Sequence, residues 1–132
     1  MGKYLKEVIS LSTYRQHLDL ANERYQTALE QLEEEKYHTA AHLFINAAIN
    51  YHNALCQKLL NKIPSHKQHS DKSYFGELSR FLGKESQRYR DAYEFLMAHK
   101  SEADYGVQIS ITTAQQVQRR TRIIKEIAEQ IF

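Results

Sequence analysis

Residues 39–63 read TAAHLFINAAINYHNALCQKLLNKI, and the fold follows from how this stretch distributes its side chains. Wound as an α-helix, its apolar residues cover roughly 260° of the circumference. Phe44, Ala47, Ala48, Tyr51, Leu55 and Leu59 form one part of that arc. Ala41, Ile45, Ile49, Cys56, Leu60 and Ile63 form the rest. The remaining stripe is His42, Asn46, Asn50, Asn53, Gln57 and Asn61, polar but without formal charge when His42 is neutral. A helix apolar over so much of its surface is a central helix, packed by others on several sides.

Upstream, Thr13 and Gln16 have the spacing of a capping box. Tyr14, Leu18, Ala21, Tyr25, Ala28, Leu29 and Leu32 then recur at threes and fours, predicting an amphipathic helix from Thr13 to about Glu35. The run Glu33-Glu34-Glu35 opposes the helix dipole and marks its end. Residues 1–11 read as a short helical turn or a docked arm. Thr39 is placed as the cap of the central helix, and the short link before it makes the two helices an antiparallel hairpin. Pro64 is expected to stop the second helix.

Downstream, a polar loop SHKQHSDK over 65–72 precedes a third helix from about Ser70 or Asp71 to Leu82. Tyr74, Leu78, Phe81 and Leu82 are its expected inward residues, and Gly83 its stop. A fourth helix from about Glu85 to Ala98 buries Tyr89, Ala92, Tyr93, Leu96 and Met97. The segment SEADYGVQIS reads as turn-rich. A last helix starts near Thr112 or Thr113 and runs on Ala114, Val117, Ile124, Ala128 and Ile131, widened by Ile123 and Ile127. No long alternating pattern suggests a strand. The prediction is an all-α, up-and-down bundle of about five helices, one domain over 1–132, around a central helix at about 39–63.

Composition agrees with a globular domain: 42% hydrophobic and 26% charged residues, with one proline and four glycines to interrupt helices. A formal net charge of +2 does not by itself announce a nucleic-acid binder. Cys56 is the only cysteine and lies on the apolar arc, so it reads as a buried structural thiol. Neither a signal-peptide pattern nor a membrane-length apolar run is present, which points to a cytoplasmic protein with no membrane partner.

Several clusters have chemistry to offer. The amide stripe, with His42, Asn46, Asn50 and Asn53 at its centre, is a candidate dimer seam or groove wall; the plainer reading is helix packing with satisfied side chains. His52 reads as a hydrogen-bonded core histidine. His38 and His42 stand four apart without a carboxylate or thiol to complete a metal set, so no metal or cofactor is expected. His66, Lys67 and His69 gather donors before the third helix, where phosphate would be favoured, although a capped, solvated loop explains them too. Arg119, Arg120, Arg122 and Lys125 on the last helix form a mixed surface or a phosphate patch. No Gly-rich phosphate loop, cysteine-pair zinc pattern or nucleophile elbow occurs.

The run AAINYHNALC in the second helix of a hairpin resembles the central helix of small prokaryotic HEPN proteins, where a Tyr-Tyr-Ala run is typical. HEPN stands for higher eukaryotes and prokaryotes nucleotide-binding. Lys67-Gln68-His69-Ser70 resembles the Lys-Thr-His-Ser segment that follows in one single-domain branch. Ala103-Asp104-Tyr105-Gly106 resembles the Ala-Asp-Tyr segment of that branch. The three motifs occur in the expected order, from about Leu18 to Ile131.

The resemblance implies a helical bundle, frequent homodimerisation, and an association with nucleotide or RNA. It also implies pairing with a small nucleotidyltransferase in toxin–antitoxin modules, and ribonuclease activity in some members. On that footing His66, Lys67 and His69 are candidate phosphate contacts, and Asp104 and Tyr105 line the approach. The family's ribonuclease signature, an Arg followed by a His after four to six residues, is not matched by any Arg of this chain. Lys62 and His69 have six residues between them and are the candidate pair if the protein is a metal-independent ribonuclease. A helical-repeat interaction module is a third reading, suggested by Leu32, Tyr37, Ala40 and Phe44, but no second copy follows.

Overall fold

The computed structural model describes residues 2–61, 72–105 and 108–132, with side chains described for 14–61, 74–105 and 108–132. Among the described residues the protein is an all-α bundle: α1 Gly2–Glu33, α2 Tyr37–Leu60, α3 Lys72–Leu82, α4 Ser86–Asp104 and α5 Ile111–Ile131. A 3-10 turn, Gly83–Glu85, is all that separates α3 from α4. Counted as one interrupted run, these two reduce the five expected helices to four. Gly83 provides the break at φ 57, a left-handed conformation that costs a glycine little.

The central helix is where the apolar arc places it, with shifted ends. α2 begins at Tyr37, with Lys36 in the cap position and no side-chain cap, so Thr39 is not the cap. It ends at Leu60 because Asn61 turns left-handed at φ 55, its N–H donating to the Cys56 carbonyl. Asn tolerates that conformation better than most residues, so the helix stops before Pro64 is reached. Ile63 and Pro64 lie outside the described residues.

α1 and α2 form the antiparallel hairpin. Its register is fixed by two polar pairs. The Arg24 guanidinium donates to Asn50 Oδ1 at 2.6 Å, and the Tyr51 hydroxyl donates to Asn22 Oδ1 at 2.5 Å. Burial, with smaller contributions from Glu129 and Tyr25, raises the Tyr51 pKa, so its hydroxyl keeps the proton it donates. α1 does not start at Thr13 but runs through it from Gly2, which leaves the Thr13–Gln16 pair in the helix interior rather than at a cap.

Three other boundaries or faces differ from expectation. α4 continues past Ala98 to Asp104, because Ala103 extends the buried line of Tyr89, Tyr93 and Leu96 by another two turns. On α3, Phe81 is 49% exposed whereas Phe75 is buried. The buried sector is centred on Leu78 and Leu82, and Phe81 stands at its edge. α5 is capped by Ser110, whose Oγ accepts from the Thr113 N–H, rather than by Thr112 or Thr113.

α2 packs against α1, α3, α4 and α5. Phe44, Ile45, Tyr51 and Leu55 are at its core, joined by Leu78, Leu96, Val117, Ile124 and Ile127 from the surrounding helices. Thr121 is buried with them, its hydroxyl donating to the Phe44 carbonyl at 3.3 Å. No described helix is long and apolar enough to cross a membrane.

Candidate functional site

The amide stripe of α2 makes its contacts through neighbouring helices and its own turns. Asn50 is held by Arg24 from α1. Gln57 donates to Asn61 Oδ1 at 3.5 Å. Asn53 is buried, and its Oδ1 has no hydrogen-bond partner among the described residues. His42 and Asn46 join a cluster at the far end of α4. His42 Nδ1 lies 3.1 Å from Asp104 Oδ1, and Asp104 also receives the Lys100 ammonium one turn earlier on α4.

The neighbours of His42 favour one tautomer of its neutral ring. Asn46 Nδ2 donates to the His42 carbonyl at 2.9 Å, which fixes which end of the amide is nitrogen. The same nitrogen lies 3.1 Å from His42 Nε2. An amide nitrogen only donates and a carboxylate only accepts, so the neutral tautomer with its proton on Nδ1 satisfies both sides. Both ring nitrogens are therefore engaged. The histidine acts as a clip that ties the first half of α2 to the last turn of α4.

Beyond the clip stands Tyr105, 82% exposed at the C-cap of α4. An exposed aromatic ring is a surface on which a base can stack. Close in sequence to both elements is a cleft of about 210 Å³ lined by Glu35, Lys36, Tyr37, His38, Thr39, Gln108 and Ile109. His42 and Asn46, read as seam residues, and Asp104, read as a ligand residue, thus meet in one place. Nothing in the sequence pattern joins α2 to the end of α4; an extension of α4 to Asp104 was needed to see it. Lys62, His66, Lys67 and His69 lie outside the described residues.

A second cluster is interior. His52 is 1% exposed, with Nδ1 2.7 Å from the Tyr89 hydroxyl and Nε2 3.7 Å from Cys56 Sγ. Its ring lies 4.3 Å from that of Tyr93. Burial, with the Cys56 thiol and Tyr93 adding to it, pushes the Tyr89 pKa well up. Burial and then Cys56 do the same to Tyr93. These phenols stay neutral, and the group is core packing with a polar heart, as expected for His52 and Cys56.

No curated protein and no solved structure matches the chain. A family model described as HEPN domain matches residues 14–131, nearly the whole chain. Of the parts that carry the resemblance, the central helix in its hairpin, Ala103–Tyr105 and the long final helix are described, whereas Lys67-Gln68-His69-Ser70 and Gly106 lie outside the described residues. The chain belongs to the HEPN domain family, a family of nucleotide- and RNA-associated helical domains.

Proposed function

We propose that this protein is a binding or accessory HEPN domain, which takes a nucleotide or RNA at the α2–α4 cluster and works beside a small nucleotidyltransferase in the cytoplasm. The observation that carries the reading is the family match over residues 14–131. The cluster supports binding over acid–base chemistry at that place, because both nitrogens of His42 already have partners. A general base needs a free lone pair within reach of the proton it takes. Tyr105 offers an exposed stacking surface at the end of α4. Pairing with a nucleotidyltransferase follows from the family resemblance, as does the toxin–antitoxin setting of such pairs.

Titration of isotope-labelled protein with ATP and with short single-stranded RNA tests the reading. Amide shifts at Asp104 and Tyr105, or in the 66–70 segment, are the expected outcome. If both segments stay unperturbed at saturating ligand and low salt, the reading is wrong.

A further inference from the structure

The outer side of the α4–α5 pair carries a second feature. Gln116, Arg119, Arg120 and Ile123, one stripe of α5, line a depression of about 330 Å³. That volume is at the lower end of small-molecule sites, which span about 300–1,000 Å³. Four of the cations on the same two helices, Arg88, Arg90, Lys100 and Lys125, are neutralised by carboxylates three or four residues away. Arg119, Arg120 and Arg122 make no ion pair with any described residue, and of these three Arg119 and Arg120 line the depression. Arg119 is exposed and Arg120 half-buried.

Arg120 is nevertheless ordered. Its guanidinium carbon sits 4.9 Å from the centroid of the Phe95 ring on α4. Phe95 is backed by His99, ring to ring at 4.6 Å, and His99 Nδ1 donates to Glu102 at 3.2 Å. A guanidinium laid over a ring keeps its N–H edge free to grip an oxyanion by two bonds. The structure thus holds one arginine in place and leaves a second exposed beside it, with an amide and an aliphatic side chain completing the floor. Unpaired arginines, a fixed flat group and an apolar wall are the chemistry that receives a sugar–phosphate strand.

We infer that this α4–α5 groove is a phosphodiester-binding site for single-stranded RNA, with Arg119 and Arg120 contacting consecutive phosphates. The inference rests on the nucleotide- and RNA-associated reading above, and supplies a place for the strand away from the Tyr105 cluster. The probe is a fluorescently labelled oligouridylate, followed by anisotropy over a range of salt with wild type, Arg119→Ala, Arg120→Ala and Arg122→Ala. Arg122 is exposed on the same helix but does not line the groove. Removing either groove arginine is expected to weaken binding about tenfold and to lower the log–log salt slope by about 0.7. Arg122→Ala should stay within about twofold of wild type. Arg119 has no packing role in view, so its variant keeps the test independent of folding.

Wild-type binding with both groove variants unchanged overturns the groove and leaves the family reading standing. Wild type that binds neither the oligonucleotide nor ATP removes that reading, and the groove with it. A change of mass by light scattering in Arg119→Ala, without a change in RNA affinity, would make the face a protein interface and overturn the inference.

Discussion

At the scale of single residues, the two buried tyrosines of α4 make opposite demands. The Tyr89 hydroxyl is bonded to His52, whereas the Tyr93 hydroxyl is buried with no partner among the described residues. An unmet buried hydroxyl costs about 1–3 kcal/mol, and a made hydrogen bond contributes about 1 kcal/mol. Tyr93→Phe is therefore expected to raise unfolding free energy by about 1 kcal/mol, and Tyr89→Phe to lower it by about 1–2 kcal/mol. Urea denaturation of the two variants reads the difference, and equal effects of the same sign would refute the assignment. His17 supplies a pH dependence. Burial lowers its pKa below 6.5, so the folded protein releases this proton more readily than the unfolded chain. The stability tied to His17 is complete above 6.5 and declines as pH falls through that value toward the folded pKa. A His17→Gln variant should show a flatter melting-temperature profile across that interval than wild type does.

Among the elements, the turn between α1 and α2 is the informative one. The Lys36 N–H donates to the Gln31 carbonyl at 2.9 Å and the Glu35 N–H to the Leu32 carbonyl at 3.0 Å, the pair of bonds that defines a Schellman stop. Its left-handed residue is Glu35, at φ 64, where glycine is the usual occupant. Glu35→Gly should stabilise the protein by about 1 kcal/mol, since it relieves the left-handed strain and removes an acid from the negative end of the helix dipole. Thermal unfolding would show a rise, and a fall would mean the glutamate has a role beyond the turn. The same turn shows why ends are harder to read than interiors. The bodies of α1, α2, α4 and α5 were legible because apolar residues recur at helical spacing over many turns. Their ends depend on single backbone conformations at Glu35, Asn61 and Ser110, for which the sequence offers several candidates of similar merit. The candidate site was legible only in part. His42, Asn46 and Asp104 could each be singled out, but their meeting depends on where α4 stops.

At the scale of the whole molecule, oligomeric state is the property most closely tied to the stripe on α2. A homodimer is the expectation that the family resemblance carries, and His42, Asn46, Asn50 and Asn53 are its candidate seam. Asn50 already takes a hydrogen bond from Arg24 and is 6% exposed, so a lysine there would set two cations together inside the hairpin. Asn46 is only partly buried, and Asn46→Lys is the cleaner probe. If the seam runs along α2, light scattering should find wild type at twice the chain mass and this variant shifted toward the single chain. A wild-type dimer that Asn46→Lys leaves intact would move the seam elsewhere.

Fifteen of the twenty-four residues of α2 are buried, against six of twenty-one in α5. Each buried position on α2 answers to one of four neighbouring helices, so few substitutions there avoid a cavity or a clash. Sequence drift among proteins of this kind should therefore accumulate on the outer helices and their links, while α2 changes slowly. A distant relative would keep its kinship longest in that one helix, after pairwise similarity over the rest had faded.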